Sequence, residues 1–260
     1  MTTVELAFQR CSCMEQVGAA ACGTPSSNGC RRVCSMPTAS TCVAMAPAGH
    51  PTTWNSRTTA WSPTSLRYAA LGIRAGAAVA HSMGGGTALL TEATRPGTFA
   101  RLWVYEPIIF PRTKDNNPSE LVQGTLRRRP GFPSRADATE RYGSRPPFDE
   151  LHPEVLAAHV QHGFMDGPER SALLRCTPQL EARAYDQYLR DGFQRLGQIE
   201  APVTVAYGTA TAEPSGIWAP AEAEALPNGR PEMYEDARHL GCFDDINRTV
   251  ASLVACFSDR

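Results

Sequence analysis

Hydrophobic and polar positions alternate in readable blocks over the C-terminal two thirds of the chain. Ala77-Ala78-Val79-Ala80 is a short apolar run of small and β-branched residues, the pattern of a strand covered on both faces. It runs into His81-Ser82-Met83 and three glycines, Gly84 to Gly86, and the pattern then continues as a helix until Arg95-Pro96-Gly97 stops it. Phe99-Ala100-Arg101-Leu102-Trp103-Val104-Tyr105 reads as a second buried strand, ending in Glu106-Pro107. From Ile108 to Gly197 no strong strand is legible. That stretch predicts helices over 120–128, 134–142, 153–161 and 178–189, separated by breaks such as Ser144-Arg145-Pro146-Pro147. Ala201 to Gly208 returns as a core strand. A helix over 217–226, a turn at Pro227-Asn228-Gly229, a short strand ending at Tyr234 and a last helix over 246–257 complete the chain. Strands alternating with helices predict an α/β fold.

The strand–serine–glycine–helix stretch carries the chemistry. A serine hydroxyl is a weak nucleophile and must stand clear of the backbone to meet a base and a substrate together. A tight turn between strand and helix lifts it there, and small residues such as Gly84 and Gly86 let the helix approach the strand closely. The helix N-terminus beneath Ser82 also offers backbone N–H groups to an oxyanion.

Ala80-His81-Ser82-Met83-Gly84-Gly85 resembles the nucleophile elbow of the α/β-hydrolase superfamily, with Ala80 in place of the first glycine of G-x-S-x-G. The resemblance covers about Ala70 to the C-terminus. It implies a mostly parallel sheet with helices on both faces, bearing an inserted helical cap. The corresponding division is 1–107 and 198–260 for the core and 108–197 for the cap. It implies Ser82 as nucleophile, the Met83 N–H as an oxyanion donor, and His239 as general base, on the loop between the last strand and the last helix. Many members carry the triad acid shortly after the strand at 203–208, but Thr211 stands there, and Glu213 is the acid present in that loop. Other members hold the acid after the preceding core strand, where Glu106 stands. Glu106 is therefore the expected acid, with Glu213 as the alternative.

Composition narrows the partners. A formal charge of −1 gives no electrostatic case for nucleic acid or an anionic membrane. No run approaches the ~20 apolar residues of a membrane span. Met1 to Gln9 lacks a basic segment followed by an apolar core, so a cytoplasmic protein acting on a small-molecule substrate is expected, without metal or cofactor. His159 and His162 could share a helix face, but further ligands would be needed for a metal; cap-lining or solvated histidines are expected. Lys114 is the only lysine among 25 basic residues, a bias of GC-rich coding rather than of function.

Residues 10 to 70 look unlike the rest. Six of nine cysteines fall between Cys11 and Cys42 at irregular spacings that fit neither a disulfide framework nor a zinc site. Back-translated and read one base earlier, Arg10 to Gly23 is compatible with an apolar strand running into a His-Gly loop. The resemblance places the second oxyanion donor on such a loop. Misreading of the frame in this segment is therefore expected, with the family-like frame returning near Thr41-Cys42-Val43-Ala44-Met45 as a strand. The written residues 10 to 70 should pack poorly.

Three functional readings stand side by side. The first is a Ser-His-acid hydrolase of carboxylic esters or related acyl compounds. The second is carbon–carbon hydrolysis or cofactor-free peroxidation on the same scaffold. The third is a catalytically dead hydrolase-like binding protein or a non-functional product. Serine rather than aspartate at position 82 argues against chemistry through an ester on a carboxylate.

Overall fold

A computed structural model describes residues 43–44, 76–109, 111, 119–186 and 192–258 of the 260. The expectations for residues 10–23 lie outside the described residues. So do those for 24–70, apart from the backbone of Val43–Ala44.

The main sheet has the order β1-β2-β3-β7-β8. Its strands are β1 (Val43–Ala44), β2 (Gly76–His81), β3 (Phe99–Tyr105), β7 (Val203–Gly208) and β8 (Gly229–Tyr234). The strands β2, β3, β7 and β8 run parallel, and β1 pairs antiparallel to β2 through Val43–Ala80 and Ala44–Val79. Parallel neighbours need crossover connections, and helices supply them here. The first is α1 (Met83–Thr94), which leads from β2 to β3; α6 (Pro214–Ala225) joins β7 to β8, and α7 (Ile246–Ser258) closes the chain.

Because successive side chains on a strand face opposite ways, each core strand feeds two cores. Ala78, Ala80, Leu102, Val104, Val203 and Val205 pack against Leu89 and Leu90 of α1 and Ala219 and Ala223 of α6. On the other face Trp103, Tyr105, Ala206 and Tyr234 meet Leu253 and Cys256 of α7. The continuous apolar run Leu102 to Tyr105, buried throughout, follows from this two-sided cover. The chain is thus α/β, with a mainly parallel sheet and helices on both faces.

Between β3 and β7 lie α2 (Ser119–Leu126), β4 (Gly131–Phe132), α3 (Arg135–Gly143), α4 (Pro153–Gly163), β5 (Phe164–Asp166), β6 (Ala172–Leu174) and α5 (Pro178–Asp186). The helices start where the sequence signals them: Ser134 caps α3 by accepting from the Asp137 amide, and Pro153 opens α4. The strands were not expected. They form a small antiparallel sheet, β4-β6-β5, around Phe132, Phe164, Ala172 and Leu174. Each is two or three residues long, too short to show a period-2 pattern. His159, expected to be solvated or to line the cap, is half-buried in this region, stacked on Phe148 at 5.0 Å and edge-on to Tyr142. Burial, then the charge of Arg128, pushes its imidazole down to about 4, so it packs as a neutral ring. Among the described residues no group of His, Cys, Asp and Glu is placed to hold a metal, and no helix is long and apolar enough to cross a membrane.

Candidate active site

Ser82 sits between the end of β2 and the start of α1 with φ 54° and ψ −126°, a left-handed backbone that L-residues adopt only under constraint. Three main-chain bonds impose it. The Ser82 amide donates to the Tyr105 carbonyl at 2.9 Å, and its own carbonyl accepts from the Ile108 amide at 3.0 Å and the Gly86 amide at 3.2 Å. The tight approach beneath the turn is made by Gly85 and Gly86. A Cβ on Gly86 would lie 2.1 Å from the Ile108 carbonyl oxygen, and one on Gly85 would lie 2.8 Å from Pro107. The close contact is therefore with the segment leaving β3, and not with the preceding strand.

Three side chains from three chain-distant elements converge at this turn. The Ser82 hydroxyl is 3.1 Å from Nε2 of His239, and Nδ1 of His239 is 2.6 Å from Oε2 of Glu106. Glu106 leaves the end of β3 with φ 43° and is fully buried. Met83 follows Ser82 as the first residue of α1, its side chain packed with Ile108 and with Ala184 and Tyr185 of α5. Glu213 is exposed at the N-cap of α6, and the carboxylate bonded to His239 is that of Glu106.

A buried carboxylate is costly unless donors surround it. Glu106 has them. Its Oε1 accepts from the Gly208 amide at 3.0 Å and the Thr211 hydroxyl at 2.5 Å, and its Oε2 accepts from Ser215 at 3.2 Å as well as from His239. Burial alone would raise its ionisation point. The bond and the charge of His239, with the donors Thr211 and Gly208, outweigh that and hold it below the ordinary value. With Glu106 ionised, Nδ1 of His239 carries the proton, and Nε2 is left to accept from Ser82. The arrangement can therefore take a proton from the serine hydroxyl as that oxygen attacks an electrophile.

Thr211, Ser215 and Gly208 carried no sequence signal for a role at the acid. What could have marked them is position: Gly208 ends β7, Thr211 is three residues on, and Ser215 follows the Glu213-Pro214 helix start. Glu222, also on α6, was missed entirely. It is fully buried, neither of its carboxyl oxygens has a hydrogen-bond partner among the described residues, and burial, then the charge of Glu106, pushes it well above its ordinary value.

No family model and no curated protein matches the chain. Solved structures do. An E-2-(acetamidomethylene)succinate hydrolase superposes with a TM-score of 0.64 at 12% identity, over 76% of this chain and 72% of its own. A thioesterase domain from the curacin biosynthetic pathway gives 0.56 at 18% identity, over 76% and 72%. A peroxisomal α/β-hydrolase of Saccharomyces cerevisiae gives 0.54 at 15% identity, over 68% of this chain and 50% of its own, so the chain spans half the length of that protein. At these identities the likeness is one of fold: the chain has the α/β-hydrolase fold.

Proposed function

We propose that the chain is a serine hydrolase of a small carboxylic ester or related acyl compound, with Ser82 as nucleophile, His239 as general base and Glu106 as the acid that orients it. The observation that carries this reading is the unbroken contact from Ser82 Oγ through both ring nitrogens of His239 to a buried, ionised carboxylate.

In this mechanism the Ser82 oxygen attacks the acyl carbon while His239 Nε2 takes its proton. The tetrahedral oxyanion receives the Met83 N–H. Collapse breaks the bond to the leaving alcohol, which takes the proton from His239. A water molecule then repeats the sequence on the acyl-serine, returning the free acid and Ser82. Glu106 keeps the imidazole in the required tautomer and stabilises the imidazolium. Every proton in the cycle moves between these side chains, substrate and water, so neither metal nor cofactor has a step. Residues 108–197 are assigned as the cap, with Ala184 and Tyr185 bringing apolar surface to Met83.

A second oxyanion donor belongs on the His-Gly loop that a one-base correction of residues 10–23 would restore; losing one such donor typically costs ~10²–10³ in turnover. The written and the corrected chain should be compared for solubility, circular dichroism and labelling by a fluorophosphonate, which reacts only with an activated serine. The expected result is a soluble corrected chain labelled at Ser82, unlabelled after Ser82→Ala, with the written chain insoluble or nearly unreactive. A folded corrected chain without labelling defeats the hydrolase reading. A well-folded, labelled written chain defeats the frame correction alone.

A further inference from the structure

The residues immediately before Ser82 and Glu106 are His81 and Tyr105, and they are register partners across β2 and β3. Neither is assigned a step in the cycle above. Both are buried, His81 at 2% exposure and Tyr105 at 0%. Both reach the same short stretch of the His239 loop through main-chain carbonyls. His81 Nε2 lies 2.8 Å from the His239 carbonyl oxygen, and the Tyr105 hydroxyl lies 2.9 Å from the Arg238 carbonyl oxygen. A carbonyl only accepts, so both side chains are donors, and His81 carries its proton on Nε2. Burial raises the Tyr105 hydroxyl far above its ordinary range, which keeps it a donor at every working pH. The rings reinforce the bonds. His81 packs 4.6 Å from the His239 ring and edge-on to Phe243 at 5.1 Å. A Cβ on Gly241 would fall 2.7 Å from the Tyr105 hydroxyl oxygen, so the loop lies against it closely.

We propose that His81 and Tyr105 are a paired latch of positioning residues, which fixes the base loop in the frame of the two strands that carry the nucleophile and the acid. This rests on the hydrolase reading of Ser82, His239 and Glu106. The physical reason is geometric. His239 stands on a loop and must meet Ser82 and Glu106 with two different nitrogens at once, and loops on their own place side chains less well than strands do. Bonding the carbonyls of positions 238 and 239 to strand residues next to the two partners transfers strand rigidity to the imidazole. The substrate class is untouched by this, because neither latch residue contacts the acyl group in the mechanism; the latch acts on rate and not on binding.

The test uses the full chain, in the frame that labels, with four proteins: wild type, His81→Phe, His81→Gln and Tyr105→Phe. Phe at 81 keeps a ring and loses the donor, while Gln places an N–H₂ near the old Nε2. The expected result is that His81→Phe and Tyr105→Phe each slow fluorophosphonate labelling and kcat on p-nitrophenyl acetate by roughly 10- to 100-fold, the scale of a small misplacement of a catalytic group, with KM within about twofold. His81→Gln should recover most of the loss. Hydrogen exchange at the amides of residues 238–241, measured by mass spectrometry, should be faster in His81→Phe and Tyr105→Phe and near wild type in His81→Gln. Wild-type labelling together with wild-type exchange in both Phe variants would overturn the latch, as would a Gln variant no better than Phe. If wild type itself fails to label in either frame, the hydrolase reading falls, and the exchange data still decide whether the two residues hold the loop.

Discussion

The Thr211 hydroxyl donates to Oε1 of Glu106 over 2.5 Å. Position 211 is where the resemblance would commonly place the triad acid, and the residue that stands there donates instead to the β3-end carboxylate proposed for that role. Removing that donor as Thr211→Val should take away a hydrogen bond to a charged group, about 1.5–3 kcal/mol. The sign is set by the lowered ionisation of Glu106. Its contribution to stability is fully present above about 4.5 and is lost as pH falls through its lower folded value. In Thr211→Val the folded value moves back toward the ordinary one, so the acid-induced loss should be smaller and be complete at a higher pH. Thermal unfolding of the two proteins across the acid range measures it.

Glu106→Gln should retain the fold while reversing the preference of the neighbouring imidazole for its tautomer. A drop in turnover on the order of 10⁴ is expected by analogy with acid-to-amide changes in Ser-His-Asp triads. Glu213→Gln, on an exposed cap residue, should act like wild type. Equal losses in the two variants would contradict the assignment of the acid.

The buried Glu222 predicts an opposite pH trend. A carboxyl whose folded ionisation is raised binds its proton more tightly in the native state, so stability is highest below the ordinary value near 4.5 and declines as pH rises toward the folded value. Glu222→Gln keeps the shape and cannot ionise. Its melting temperature should therefore exceed that of wild type at neutral pH and above, and the difference should close as the solution is acidified.

Two glycines on helices should respond in opposite directions to alanine. Gly86→Ala drives a methyl into the Ile108 carbonyl and should be strongly destabilising, because the obstacle is backbone and cannot rotate away. A Cβ added to Gly124 in α2 would meet nothing within 4 Å among the described residues. Gly124→Ala should stabilise by about 0.5–1 kcal/mol through helix propensity. Denaturant midpoints of the two variants provide the comparison.

The legible parts of this chain were those where local pattern and tertiary role coincide. The run from Leu102 to Tyr105 is apolar because helices cover both faces of β3, and its length and aromatic content gave it away. Ser82 was marked by the glycines behind it, and His239 by its place between the last strand and the last helix. The expected trio is brought together in space, although its catalytic roles stay proposals for the labelling experiment to test. What could not be read depended on contacts between distant segments. Strands of two or three residues such as Gly131–Phe132 carry no period and form only because β6 pairs with them. The donors Thr211 and Ser215 are small polar residues of a kind found in any loop, and only the folded chain shows that both face one carboxylate. The donation by His81 runs to a main-chain atom, which no side-chain motif encodes.

Ser82 and Glu106 hold left-handed backbones at the tips of neighbouring strands, with φ of 54° and 43°. Each such conformation costs on the order of 1–3 kcal/mol in a fold whose net stability is typically ~5–15 kcal/mol. Glycine at either place would relax the main chain and, with it, remove a side chain on which the proposed chemistry depends. Durability and reactivity are therefore opposed at these two points, and a hardier active chain has to be sought at sites remote from them, in helix surfaces with room to spare such as that around Gly124.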